Sequence, residues 1–485
     1  MNSNKRKQLG AYFTPDAPAE ALVRWAVRAP RDRLLDPSAG DGRFLALHRR
    51  SVGVETDPKS AAAARTNAPW ALVHEGDFFS WADRTRERFE CTAGNPPFIR
   101  YQRFAGEVRA RALRLCERLG AGFSALTSSW APFLVAAASV LKPGGRMAFV
   151  VPAEIGHAPY AAPLIKYLLS HFADVRILAV REKIFPELSE DAWLLYAEGF
   201  GARSEGLLFS VTEKFEFANS PPGNGRFVSF ADLTRWNWRL RPFLLTEELL
   251  DLYFDLLQRQ TTVRLGDLAR VGIGYVTGAN DFFHLRPSIA RQLGIPKRFL
   301  QVSVRNGRVL REHAITRRVV EEWLARDEAC LLLNLPPDTL LPESVRHYLE
   351  TSQGREARET YKCRMRDPWY SVPDVTVPNA FLSYMSGHLP ALVANDAECA
   401  GTNSVHTVRL MSHVPLGKIQ EAWTKSLTTL SCELEGHPLG GGMLKIEPRE
   451  AQRVALRLAE RFDRRTDEIM MQGVDTLRNW RHCNA

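Results

Sequence analysis

The stretch CTAGNPPFIRYQ (91–102) closes an apolar run with Asn95-Pro96-Pro97-Phe98. Two consecutive prolines remove two backbone donors and fix φ, so the segment is a rigid exit from a strand rather than its continuation. Asn95 Oδ1 and the Pro96 carbonyl are two acceptors that can hold both hydrogens of a planar amino group, and Phe98 offers a ring face to the attached heterocycle. Held in this way, the nitrogen lone pair turns toward an electrophile without a strong base or a metal. Catalysis then consists of positioning and electrostatic preorganisation. Methyl transfer from S-adenosylmethionine to an aromatic amine needs this chemistry; the bland alternative is a proline-rich turn of no function.

Three strand ends upstream supply what an adenosine-containing ligand would need. LLDPSAGDGRFL (34–45) runs a strand into Asp36 and then into Gly40-Asp41-Gly42 before a helix. Small residues in such a turn let a ligand approach the backbone near a helix N-terminus. VGVETDP (52–58) ends in Glu55, nineteen positions after Asp36, where nucleotide-type folds place the carboxylate that takes ribose hydroxyls. EGDFF (75–79) offers Asp77 to an exocyclic adenine amine and Phe78 to the base face. The missing GxxxxGK[ST] signature argues against a triphosphate.

These residues require a sheet whose strand ends converge. Strands are predicted at 33–38, 51–56, 71–77, 89–95, 145–152, 175–180 and 192–200, alternating with helices of which 124–141 is the clearest. This is the pattern of an α/β, mostly parallel sheet covered on both faces. ANSPPGNGRF (218–227) reads as a linker, and TEELLDLYFDLLQR (246–259) as an amphipathic helix capped by Thr246. The expected organisation is a cofactor-binding catalytic domain over 1–220, a linker and connecting helix over 221–259, and an α+β domain over 260–485. The net charge of +9, from 64 Lys+Arg and 55 Asp+Glu, suits a polyanionic partner but is mild for this length. No apolar run reaches the ~20 residues that span a bilayer, and no signal peptide is evident, so no membrane and a cytoplasmic location are expected. Seven scattered cysteines without CxxC spacing read as reduced thiols, with neither a disulfide framework nor a metal site.

QLGAYFTPDAPAEALVRW (8–25), LLDPSAGDGRFL, VGVETDPK, EGDFF, GNPPFIRY and SVLKPGGRMAFVVP occur in the order of the gamma-class amino methyltransferases. The chain resembles the DNA adenine-N6 methyltransferases of the TaqI type found in restriction-modification systems, closely so over residues 8–200. The resemblance implies a seven-stranded, Rossmann-like Class I methyltransferase sheet, S-adenosylmethionine as cofactor, double-stranded DNA as partner and a target base flipped out of the duplex. Residue by residue it puts Thr14 at the methionine part of the cofactor, Asp36, Ser38 and Gly40 in the strand-one loop, Glu55 on the ribose with Thr56 beside it, and Asp77 and Phe78 on the adenine. Asn95, Pro96, Pro97 and Phe98 match the catalytic tetrapeptide, with Phe98 where Tyr is more usual. EKIFPELSEDAWLLYA (182–197) resembles a later motif whose aromatic residue, here Phe185, clamps the flipped base.

In the second half, VGIGYVTGANDFFHL (271–285), NSVHTVRL (403–410) and LGGGMLKIEP (439–448) resemble segments of DNA target-recognition domains. REARETYKCRMRDPWY (355–370) interleaves basic and aromatic residues, which suits phosphate contact through Arg364 and Arg366. Arg100 and Arg103 follow the tetrapeptide closely enough to touch the backbone near a flipped nucleotide. No PD…ExK pair is convincing and the cofactor motif starts by residue 8, so methylation without cleavage is expected, and a cognate restriction nuclease would be encoded separately. NPP[YF] is also similar to sites of RNA adenine and protein-glutamine methyltransferases. Those substrates, an N4-cytosine amine, and a non-catalytic DNA-binding specificity subunit stay open.

Overall fold

In the computed structural model, which describes residues 13–186, 191–439, 441–458 and 462–483, the seven apolar runs become β1 (Leu34–Asp36), β2 (Ser51–Glu55), β3 (Leu72–Glu75), β4 (Phe89–Gly94), β5 (Leu141–Pro152), β6 (Asp174–Val180) and β7 (Ala192–Glu198). Positions 8–12 of the N-terminal motif and 187–190 of the later one lie outside the described residues. Strands β4, β5 and β7 are buried on both faces almost throughout, as continuous apolar runs in a covered sheet must be. The strand order is β3-β2-β1-β4-β5-β7-β6, extended by β8 (Gly206–Thr212) and β9 (Arg226–Ser229). Pairing is parallel from β3 through β5, and β7 runs antiparallel to both β5 and β6. This is the Class I methyltransferase sheet with two further strands. Its order reverses between β1 and β4, and the crevice beyond the carboxyl ends of that pair is where open α/β sheets bind ligands.

The helix expected over 124–141 spans only Trp130–Ser139 and is buried from Trp130 to Ala138. Being apolar on every side, it belongs inside the domain rather than on its surface.

The chain divides into two compact units, Met1–Leu244 and Leu245–Ala485, so the division falls at 244/245 rather than across a linker over 221–259. The PPGNG turn delivers β9 as an antiparallel edge strand on β8. The helix Phe230–Arg235 follows, closed by a reciprocal cap between Ser229 and Asp232. Pro and Gly mark the turn between two strands with the same composition that marks a linker. The helix Glu247–Gln258 opens the second unit, and Thr246 accepts the Leu249 N–H as its cap.

The second unit is α+β. One of its four-stranded sheets orders Ala269–Ile273, Val405–Leu410, Ala380–Ser383 and Leu392–Ala394; another orders His284–Leu285, Leu331–Leu333, Leu300–Val304 and Ala400–Gly401. Helices Ser426–Glu435 and Arg464–Trp480 pack together and are joined by buried charge: Arg481 donates to Glu433 at 2.7 and 3.0 Å, and Arg478 at 3.4 Å. Among the described residues no helix is long and apolar enough to cross a membrane, and no group of His, Cys, Asp and Glu could hold a metal ion.

Candidate active site

β1 and β4 are hydrogen-bonded neighbours in register Leu34↔Cys91 and Leu35↔Thr92. Their ends therefore bring Asp36 and the tetrapeptide together. A Cβ built on Gly94 would come 2.6 Å from Asp36 Oδ1, so a larger residue there would push that carboxylate aside. Asp36 Oδ1 accepts the Ser38 N–H at 3.1 Å, while Oδ2 is buried with no hydrogen-bond partner among the described residues. Burial, opposed by the Ser38 N–H and reinforced by Glu55 and Asp41, pushes the Asp36 carboxyl up to about 8. Ser38 Oγ in turn donates to the Asn95 carbonyl at 2.8 Å, tying the strand-one loop to the tetrapeptide.

Glu55 stands at the end of β2 with both oxygens oriented by backbone: Gly40 N–H donates to Oε2 and Asp57 N–H to Oε1, each at 2.8 Å. Its pKa is raised by burial. Gly42 precedes the helix Arg43–Ala46 at φ 85°, and a Cβ there would fall 2.7 Å from Ala64 Cα. Both the left-handed backbone and the close helix packing require glycine. Thr14 is buried, and its Oγ1 has no hydrogen-bond partner among the described residues. Arg43 holds this segment over the loop: it donates to the Thr14 carbonyl, pairs with Asp41 at 2.8 Å and lies 5.1 Å above the Phe13 ring. Thr56 is exposed and its hydroxyl reaches the Gly76 carbonyl at 3.4 Å.

Asp77 caps the helix Phe78–Arg84 by accepting the Ser80 N–H at 2.9 Å, and the same oxygen faces Arg111 at 3.5 Å. Phe78, expected on the adenine face, is only 3% exposed and packs on Phe133 at 4.7 Å between centroids and on Trp81. It is a wall of the aromatic core behind the strand end. Phe185, expected to clamp a base, is likewise 1% exposed, inside the cluster that holds Leu22, Val180 and Tyr196. Its ring is packing as the structure stands. Phe98 packs against that same cluster and is only partly buried, so of these two rings it is the one with an accessible face.

The tetrapeptide is fixed on its far side by Ser129, which the sequence does not signal. Ser129 Oγ donates to the Pro97 carbonyl and accepts the Ile99 N–H at 3.0 Å, and Ser129 N–H donates to the Ile99 carbonyl at 2.9 Å. Arg100 and Arg103 are exposed in the turn that follows. In the second unit Arg364 is exposed, but Arg366 is committed inward: it donates to the carbonyls of Thr277, at 2.7 Å, and Val276. The expected phosphate contact at Arg366 is thus a brace between two loops.

A family model for the C-terminal domain of the type II methyltransferase M.Eco57I matches residues 237–481. The type II methyltransferase M.AccI of Acinetobacter calcoaceticus is 18% identical over 96% of this chain and 88% of its own length. A tRNA1(Val) (adenine(37)-N6)-methyltransferase of Actinobacillus succinogenes is 34% identical over 28% of this chain and 59% of its own. Among solved structures, the DrdV–DNA complex aligns with a TM-score of 0.51 at 12% identity, covering 86% of this chain and 50% of that one. The chain thus spans half the length of that structural relative, with which it shares the fold.

Proposed function

Because the chain belongs to the family of type II methyltransferases defined by the M.Eco57I C-terminal domain, we propose that it is a restriction-modification DNA methyltransferase. In this reading it transfers a methyl group from S-adenosylmethionine to the N6 amine of an adenine flipped out of duplex DNA. The observation that supports the reading is the abutment of two loops, Gly94 against the Asp36 carboxylate and Ser38 Oγ on the Asn95 carbonyl at 2.8 Å, so that the groups proposed to hold the amine and the cofactor are neighbours.

The residues fit the cofactor. Burial first, and then the nearby Glu55 and Asp41 carboxylates, raise the affinity of Asp36 for its proton, a cost that a sulfonium and an ammonium placed beside it would relieve. The buried, unsatisfied Thr14 Oγ1 and Asp36 Oδ2 are orphans that a ligand's methionine part would satisfy. Glu55 retains lone pairs for ribose hydroxyls, and Asp77 one oxygen for the adenine amine. When bound, S-adenosylmethionine supplies a methyl group made electrophilic by its sulfonium. Asn95 Oδ1 and the Pro96 carbonyl accept the two amine hydrogens and aim the nitrogen lone pair at that carbon. Transfer would break the sulfonium carbon–sulfur bond and leave a neutral thioether, one amine proton would go to water, and Phe98 would support the ring.

A relative named for N6 methylation of a tRNA adenine supports adenine N6 as the amine, and it is also what favours RNA as the second reading. Exposed Arg100, Arg103 and Arg364 would contact phosphates, and the unit 245–485 would supply target recognition. A separately encoded nuclease partner, in the cytoplasm, belongs to the same reading. The test is transfer of tritiated methyl to mixed-sequence duplex DNA and to tRNA, with Asn95→Ala as control and mass spectrometry of the nucleosides. N6-methyladenine in DNA, lost by on the order of 10²-fold or more in the variant, supports the reading; label confined to RNA or to N4-methylcytosine overturns its substrate.

A further inference from the structure

The tetrapeptide carries a problem that its own sequence creates. Pro96 and Pro97 have no N–H, so between Asn95 and Ile99 the loop has more carbonyls to satisfy than donors to satisfy them with. A loop of this kind is rigid in φ but free to tilt as a body unless donors arrive from elsewhere. Two serine hydroxyls bring them. Ser38 Oγ takes the Asn95 carbonyl, just before Pro96, and Ser129 Oγ takes the Pro97 carbonyl, just after it. The carbonyl of Pro96 is therefore flanked on both sides by held neighbours.

Ser129 does more than donate. It is 1% exposed, sits at the start of the buried helix Trp130–Ser139, and exchanges both of its backbone-like partners with Ile99: Ile99 N–H to Ser129 Oγ at 3.0 Å and Ser129 N–H to the Ile99 carbonyl at 2.9 Å. The loop is thus joined to the buried helix Trp130–Ser139 by the Ser129 side-chain oxygen, acting as donor and acceptor at once, and by the Ser129 backbone N–H. Resting on the reading of this site as an amine-methylating one, we propose that Ser129 is a positioning residue for the reaction, holding the Asn95 side chain and the Pro96 carbonyl at the angle the amine requires. It touches no substrate and acts through the Pro97 and Ile99 backbone. Displacing catalytic acceptors by about an ångström can lower turnover on the order of a hundredfold, while the cofactor's own contacts, on Glu55 and the strand-one loop, stay in place.

The test compares Ser129→Thr with Ser129→Val in the full chain. The two side chains have nearly the same volume and β-branching and differ in the hydroxyl. Wild type and Asn95→Ala are run alongside, measuring kcat and KM for duplex DNA and the Kd of S-adenosylmethionine by calorimetry. The expected result is a kcat about ten- to a hundredfold lower in Ser129→Val than in Ser129→Thr, with cofactor Kd equal within twofold in both. Equal kcat in the two variants overturns the proposal. So does a loss in Ser129→Val that appears as a weakened cofactor Kd with kcat retained, since that is general loosening of the fold. Should both variants fail to bind cofactor, Ser129→Ala against Ser129→Cys repeats the comparison without branching, and equal kcat there overturns the proposal as well. Failure of wild type to label DNA, with cofactor still bound, is a failure of the underlying substrate reading, and is recognised because it precedes any variant.

Discussion

The strand ends of the first unit and the charged core of the second handle buried polar groups differently, although the second unit also holds buried atoms, Thr262 Oγ1 and His406 Nδ1, with no hydrogen-bond partner among the described residues. At the strand ends of the first, Asp36 Oδ2 and Thr14 Oγ1 are buried with no partner among the described residues. In the second, Glu433 and Arg481 lie almost fully buried and satisfy each other, with Arg481 also donating to the Gly387 carbonyl at 2.7 Å. Tyr275 bonds His284 at 2.8 Å, and Asn395 donates to Pro378 and Cys399 carbonyls while accepting the Cys399 N–H. A desolvated polar group costs free energy unless it is paired. On the proposed reading, the groups left open beside the glycine-lined loops are the ones the cofactor would satisfy, while those closed internally are scaffold. Partner recognition by the second unit is accordingly to be sought on its exposed residues.

Glu433→Ala should break this contrast most visibly. It leaves Arg481 buried without its counter-charge and should cost about 3–5 kcal/mol, read as a fall in the urea midpoint; a midpoint close to wild type would mean that the pair is not the scaffold it looks like. Asp36→Asn comes next, with cofactor affinity expected to fall about 10- to 100-fold. Because the folded Asp36 carboxyl titrates near 8 against 3.8 for an ordinary one, the folded state binds the extra proton. Stability of the ligand-free protein should therefore fall as pH rises from about 4 to about 8. The same ionisation should strengthen binding of the cationic cofactor over the upper part of that range. Calorimetry from pH 6 to 9 checks both, and Asn at this position should flatten both. Persistence of the pH dependence in the variant would assign it to another group.

The smaller effects separate two arginines two positions apart. Arg366→Gln should lower stability by about 1–3 kcal/mol through the lost bonds to the Thr277 and Val276 carbonyls, and leave the salt dependence of DNA binding alone. Arg364→Gln should leave thermal unfolding unchanged and reduce the slope of log K against log salt by about 1. A reversal of the two would move the phosphate contact from Arg364 to Arg366.

What could be read from the sequence follows the same division. β1 to β7 were legible because most of them are short apolar runs alternating with helices, and Asp36, Glu55 and Asn95 stand at or just past the ends of three of them. β9 was hidden because its four residues follow a Pro/Gly turn that also describes a linker. Ser129 was hidden inside SALTSSWAPF, where a serine before a helix looks the same whether or not it reaches a distant loop. Phe78, Phe185 and Arg366 have the residue types of ligand contacts, but residue type does not encode which way a side chain faces once the chain is folded. The strands of the second unit are mostly two to six residues long, too short for a periodic signal to rise above turn composition.

The hydrogen bond from Ser38 Oγ to the Asn95 carbonyl crosses from one ligand site to the other. On the proposed reading, a shift of the strand-one loop on cofactor binding would be passed through it to the tetrapeptide that holds the base. Such a linkage is a coupling free energy and has no direction: by whatever factor the cofactor tightens the grip on DNA, DNA must tighten the grip on the cofactor. Where that factor exceeds one, the protein would hold DNA more loosely without cofactor than with it, and would hold its cofactor more tightly on its target than off it.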